Sequence, residues 1–163
     1  EVGDARTYIS GFVQGVESVR PDAQVSQTWT GSFSDVALMT AAAQTHISNG
    51  ADVLTGSSQS VVGSIGAAQE AEDVLWFGTQ AEQTSLAPEL VVASQVYDWA
   101  MMLEEMIANA QGGVYGGESY VLTLENEGLK MAYNDGFDIP DEVIEAAEAA
   151  IEGIVDGSIT VEP

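Results

Sequence analysis

Phe33, Ser57, Ser58, Gln59, Gln80 and Gln95 each stand at or just past the end of an expected strand, and none carries charge. Together they offer an aromatic face that can stack on a flat molecule, with hydroxyls and amides that both donate and accept hydrogen bonds. That chemistry suits a neutral heterocycle with donor and acceptor edges, and it is the chemistry of binding rather than turnover. Catalytic sets are missing beside it. His46 is the only histidine, and it falls in the last turn of an expected helix, where a donor simply suits the helix dipole. The serines of TGSSQS (55–60) sit in no G-x-S-x-G elbow and have no histidine placed to act as their base. Glu104, Glu105 and the acids of 141–152 read as solvated helix faces. Neither histidine nor cysteine accompanies them, and their spacing fits no EF-hand loop. GSSQSVVGSIG (56–66) carries neither a G-x-G-x-x-G nor a G-K-S/T pattern. Its N–H groups and hydroxyls suit a polar ligand group as well as they suit helix capping and close packing.

The elements that must hold these residues follow from periodicity. Ile9, Phe12, Val13 and Val16 mark a helix that RPDAQ (20–24) ends. VSQTWTGSF (25–33) reads as a strand. Ser34 is the expected cap of a helix over 35–48, with Gly50 closing it at C′. Further strands are expected in ADVLTGSS (51–58), 73–78 and LVVASQV (90–96). Helices are expected over 60–72, 97–111 and 140–155, the last strongly acidic. SYVLTLE (119–125) reads as a strand after a glycine-rich turn, and GLKMAY (128–133) as another short one. The alternation is that of βαβ units, so the expected class is α/β, a parallel sheet with helices on both faces. In such sheets ligands lie beyond the carboxyl ends of the strands, which is where the neutral polar residues fall.

Composition narrows the partners. Among 163 residues there are 26 acids against three bases, a net charge of −23, with 45% hydrophobic residues and no cysteine. Such a field disfavours nucleic acid and anionic membranes. The acids are spread along the chain, a distribution that suits concentrated salt and points to a halophilic, haloarchaeal source. Disulfide and thiolate chemistry are excluded, and no stretch approaches the ~20 apolar residues of a membrane span.

GFVQGVESVRPDAQV, GSFSD, GADVLTGSSQSVVGSIGAAQE, LWFGTQAEQTSLAPELVVASQVYDW and GLKMAYND, in that order, resemble the basic membrane protein (BMP) family. Its members are substrate-binding lipoproteins of ABC transporters, related to purine-nucleoside receptors. The resemblance covers nearly the whole chain. It implies one lobe of a type I periplasmic-binding-protein fold: the C-terminal lobe plus hinge-crossing final elements. The N-terminal lobe and the second lobe's opening strand are expected to precede Glu1. It further implies a non-enzymatic receptor held at the extracellular face by an N-terminal lipid anchor, with an ABC permease as partner and no cofactor. Phe33 stands where the family's aromatic stacks on the base, and Asp35 closes the same segment. Gln80 stands where nucleoside receptors carry a ribose-binding aspartate, and Tyr97 where they carry a lysine. Without both sugar-anchoring charges, the expected ligand is a free purine base such as adenine, held by Phe33, Asp35, Ser57, Ser58, Gln59, Gln80, Gln95 and Tyr97. Gln83 reads as loop structure. The rival readings are a ligand-sensing regulatory domain of the same fold and, less favoured, a nucleoside hydrolase or phosphorylase.

Overall fold

Apolar runs bounded by glycine and serine become strands, and small-residue stretches between them become helices, in a computed structural model that describes residues 3–162. In chain order the elements are α1 (Gly3–Val19), α2 (Val36–Ser48), β1 (Val53–Thr55), α3 (Val61–Gln69), β2 (Leu75–Gln80), β3 (Val91–Tyr97), α4 (Ala100–Gln111), β4 (Leu129–Tyr133) and α5 (Asp141–Val155). The sheet order is β1-β2-β3-β4. The first three strands are parallel, and β4 runs antiparallel to β3, pairing Ala93 with Tyr133 through Tyr97 with Leu129. The expected α/β class holds, with the short GLKMAY strand as an antiparallel edge.

Alternate residues of β2 point to opposite faces and define two layers. On one face Trp76, wholly buried, joins Leu54, Val61, Ile65, Ala68, Leu90 and Val91 in the main core. α3 covers this face and α2 packs on α3. Their contact is close enough that a Cβ at Gly63 would fall 2.5 Å from the Val36 carbonyl oxygen. On the other face Phe77 meets Phe12 of α1 edge-on, with ring centroids 6.3 Å apart. Tyr8 of the same helix shares a 2.6 Å hydrogen bond with the Thr55 hydroxyl. The chain's end returns to α1, where Gln14 donates to the Glu162 carbonyl and accepts from the Glu162 N–H. Tyr133 ties β4 to α5 by donating to Glu148. Its hydroxyl pKa is pushed up to about 12, first by burial and then by that carboxylate.

Three local expectations are corrected. The cap of α2 is Asp35, whose carboxylate accepts from Leu38 N at 3.0 Å. Ser34 lies one residue too early to reach it, whereas Gly50 does take the left-handed C′ conformation, with φ of 93°. VSQTWTGSF forms no strand: among the described residues no main-chain hydrogen bond is made from 25 to 33 by a neighbouring strand. Val25 and Trp29 are each 38% exposed, because nothing lies alongside to pair with them. SYVLTLE is also irregular. Asn126 accepts there from the N–H groups of Thr123 and Gly128 and donates to the Val121 carbonyl, taking up backbone groups that a ladder would have used.

The accessible surface is 10347 Å², against about 7,700 Å² for a compact monomer of this size. Several large apolar side chains are among the exposed ones. Helix α4 buries no residue and exposes Met101, Leu103, Met106 and Ile107.

Candidate functional site

Most of the singled-out residues stand at the carboxyl ends of β1, β2 and β3 or in the loop before α2. Phe33 lies in the loop before α2, with the residue 44% exposed. Its main chain is held from below, since Ser58 and Ser60 both donate to the Phe33 carbonyl, at 2.7 and 3.2 Å. Ser58 also accepts from Ser60 N at 3.0 Å and is buried. Its hydroxyl is therefore spent on the protein, and its effect is to fix where the Phe33 ring stands. Ser57, beside it, turns the other way and accepts from Gln80 Nε2 at 3.1 Å. Phe33, Ser58, Ser57 and Gln80 thus form a connected line across the loops after 31 and after β1 and the end of β2.

The second half of the surface comes from β3. Thr79, buried, donates to Gln95 Oε1 at 3.1 Å, fixing the amide of Gln95 so that its Nε2 remains a donor. Tyr97 is two residues on, on the same face, and stacks edge-on with Trp99 at 5.8 Å. Its hydroxyl pKa is raised, first by burial and then by the charge of Asp4. Tyr8 is raised as well, mainly by burial. Both phenols are therefore neutral under physiological conditions. Asp35 is engaged as the α2 cap, and Gln59 is exposed, with no side-chain bond recorded among the described residues. The structure thus connects Phe33, Ser57, Ser58 and Gln80 directly, and places Gln95 and Tyr97 on the adjacent strand.

Chemically the surface offers one aromatic face, an acceptor at Gln80 Oε1, a donor at Gln95 Nε2 and a donor proton on Ser57. Among the described residues no three histidines, cysteines or acids are grouped so as to hold a metal ion, and no helix is long and apolar enough to cross a membrane. Three contributors escaped the sequence reading: Ser60, Thr79 and Gln83. Gln83, expected to be plain loop, is buried and makes three bonds: Trp76 Nε1 donates to its Oε1 at 2.7 Å, its Nε2 donates to the Thr79 carbonyl at 2.8 Å, and its N–H donates to Ser94 Oγ at 3.2 Å. The signal available in the sequence was its neutrality among so many acids.

A family model described as "Bmp: ABC transporter substrate-binding protein PnrA-like" matches residues 3–159. A purine-binding protein of Brucella abortus (strain 2308) is 26% identical over 153 residues, covering 93% of this chain and 42% of that protein. Solved structures share the fold. A solute-binding protein of an ABC transporter system from Conexibacter woesei DSM 14684 aligns with a TM-score of 0.76 at 22% identity, over 96% of this chain and 52% of that one. One from Aeropyrum pernix K1 gives 0.77 at 19%, over 94% and 51%. A transcriptional activator of the comK gene from Bacillus halodurans gives 0.80 at 16%, over 94% and 54%. The chain spans about half the length of these proteins.

Proposed function

Because this chain belongs to the Bmp family of ABC transporter substrate-binding proteins, PnrA-like, we propose that it is one lobe of an extracytoplasmic receptor that captures a purine base, adenine being the best fit. The observation that carries the ligand class is the exposed Phe33 ring, clamped through its carbonyl by Ser58 and Ser60, beside the neutral amides of Gln80 and Gln95. A base offers a flat face to the ring and a donor beside an acceptor to the two amides. A ribose would call for charged or clustered hydroxyl-binding groups, and Gln80 and Tyr97 are neutral. The purine-binding relative in Brucella supports the same class.

The second lobe is part of this proposal. The related structures are about twice as long, the surface here is larger than a compact monomer needs, and residues 25–30 make no main-chain hydrogen bond to a strand among the described residues. In doubly wound sheets of order 2-1-3-4-5 the first strand is central. A strand preceding α1 would accordingly lie between 25–30 and β1, pairing with both. The closed receptor would hand its ligand to a membrane permease, with a lipid anchor holding it at the cell surface. A lipoprotein signal upstream in the gene would separate this reading from a sensory domain of the same fold.

Calorimetric titration of the full-length protein with adenine, adenosine and guanosine tests the ligand class. Adenine is expected to bind more tightly than either nucleoside. Absence of binding by any of the three sinks the assignment, and tighter nucleoside binding overturns the reading of Gln80 and Tyr97.

The charge carries a companion prediction. Lys130 is held by Asp98 at 2.9 Å, and Arg20 by Asp22 at 3.4 Å, which leaves the other acids to repel one another across the surface. Raising KCl from 0.1 to 2 M, which shortens the Debye length from ~10 Å to under 3 Å, is expected to lift the thermal midpoint on the order of 10 °C. A midpoint constant within about 2 °C would refute adaptation to salt.

A further inference from the structure

Gln80 is the one strand residue in the sheet with a left-handed backbone, at φ of 73°. The other non-glycine residues of positive φ among those described, Asp73 and Glu127, lie in a bend and a turn. A glutamine in that region is strained and persists only where its surroundings impose it. A buried side chain holds the peptide on its N-terminal side. The carbonyl of Thr79 belongs to the peptide that joins Thr79 to Gln80, and Gln83 Nε2 holds it at 2.8 Å. Gln83 is itself locked at both other ends, by the indole of the wholly buried Trp76 and by Ser94. Rotating that peptide would break the bond from a buried amide that is itself held in place. Released from it, Gln80 would continue the extended run of β2 and its side chain would follow the pleat of the strand. In its left-handed conformation its side chain meets Ser57, donating from Nε2 to Oγ at 3.1 Å. One Nε2–H is used there, and Oε1 accepts no hydrogen bond within the protein among the described residues.

We propose that Gln83 is a positioning residue for recognition: by fixing the Thr79–Gln80 peptide it keeps Gln80 left-handed, with its amide docked on Ser57 and its acceptor oxygen facing the ligand. This rests on the purine reading of the same surface and adds the device that sets its hydrogen-bond polarity. Gln83 does not touch the ligand. An acceptor at Gln80 beside a donor at Gln95 selects edges that carry an N–H next to a ring nitrogen or carbonyl.

The test uses the full-length protein with Gln83→Met and Gln83→Glu, read by adenine titration and by the Gln80 Cα chemical shift, which reports backbone conformation. Gln83→Met keeps bulk but cannot hold the Thr79 carbonyl. It is expected to move the Gln80 shift from the left-handed to the extended range and to weaken adenine binding by about tenfold, the worth of one lost and misdirected hydrogen bond. Gln83→Glu keeps the acceptor for Trp76. Its new carboxyl can donate to Thr79 only when protonated, so both readouts are expected to return toward the parent values as pH falls. The side chains recorded around position 83, those of Trp76, Thr79 and Ser94, do not titrate in that range, and Glu82 next in the chain is exposed. Should Gln83→Met not fold, Gln83→Glu across pH carries the comparison alone. A Gln80 shift that stays left-handed in Gln83→Met, or in Gln83→Glu with its carboxyl ionised, overturns the proposal, as does parent affinity in Gln83→Met. If the parent protein binds no purine, the ligand class has failed, and the Gln80 shift, which needs no ligand, decides the positioning claim by itself.

Discussion

Phe33→Ala is expected to weaken adenine binding by about 5- to 150-fold, the equivalent of the ~1–3 kcal/mol that stacking of a base on an aromatic ring contributes. No other single side chain of the surface should matter as much, because each neutral hydrogen bond there contributes only ~0.5–1.5 kcal/mol net. The variant is also clean. The residue is 44% exposed and lies outside the buried core, so its truncation should cost little stability. The loop is held through the Phe33 carbonyl by Ser58 and Ser60, bonds that do not depend on the side chain. Thermal unfolding of Phe33→Ala should therefore stay within about 2 °C of the parent. Phe33→Tyr, which keeps a π face, should retain most of the affinity, and Phe33→Leu should lie between. The measurement is calorimetric titration alongside a melting curve. An Ala variant that binds adenine within twofold of the parent would remove Phe33 from the site. A variant that loses both affinity and stability would show that the ring belongs to the core.

How far the sequence carried these conclusions depends on which interactions are local. The β1, β2 and β3 strands were legible because short apolar runs ending in glycine or polar residues have few other fates, and the parallel-sheet rule then pointed to the loops that hold Phe33, Ser57 and Gln80. The cap of α2 was misplaced by one residue, since Ser34 and Asp35 are both good caps and only the backbone entry angle chooses between them. Residues 25–33 have strand composition, but a strand exists only when another pairs with it, and that is a tertiary fact. SYVLTLE failed for the converse reason, because Asn126 offers its backbone a local alternative. Gln80 was placed correctly at a strand end, yet its sideways turn was invisible, since no local pattern predicts a left-handed glutamine. The cause is Gln83, whose own burial depends on an indole seven residues earlier. Neutrality was the common trace of both glutamines: Gln80 is uncharged at a half-buried strand end, and Gln83 is uncharged because a buried carboxylate in its place would face a carbonyl.

That buried amide also sets the largest stability effect expected in the molecule. Trp76 is wholly inside, bonded to Gln83 Oε1 at 2.7 Å and packed in the core with Leu54, Ile65 and Val91. Trp76→Phe keeps an aromatic ring but leaves a buried oxygen without its donor, which costs about 1–3 kcal/mol. Trp76→Ala adds a cavity in place of the ring system, for a total of at least ~3–5 kcal/mol. Against a net stability of about 5–15 kcal/mol for a folded domain, the Ala variant should lie near the edge of folding, and the Phe variant should lose several degrees at roughly 2–4 °C per kcal/mol. The partner can be removed as well. If the Trp76–Gln83 bond is the cause, Trp76→Phe combined with Gln83→Met should be less destabilised than the sum of the two single variants by about 1 kcal/mol or more, because neither polar group is then left alone. Urea unfolding of the full-length protein and the three variants measures that coupling. Strict additivity would mean that the indole acts through volume alone, and that the chain keeps a neutral amide at position 83 for the sake of the Thr79 carbonyl rather than for its core.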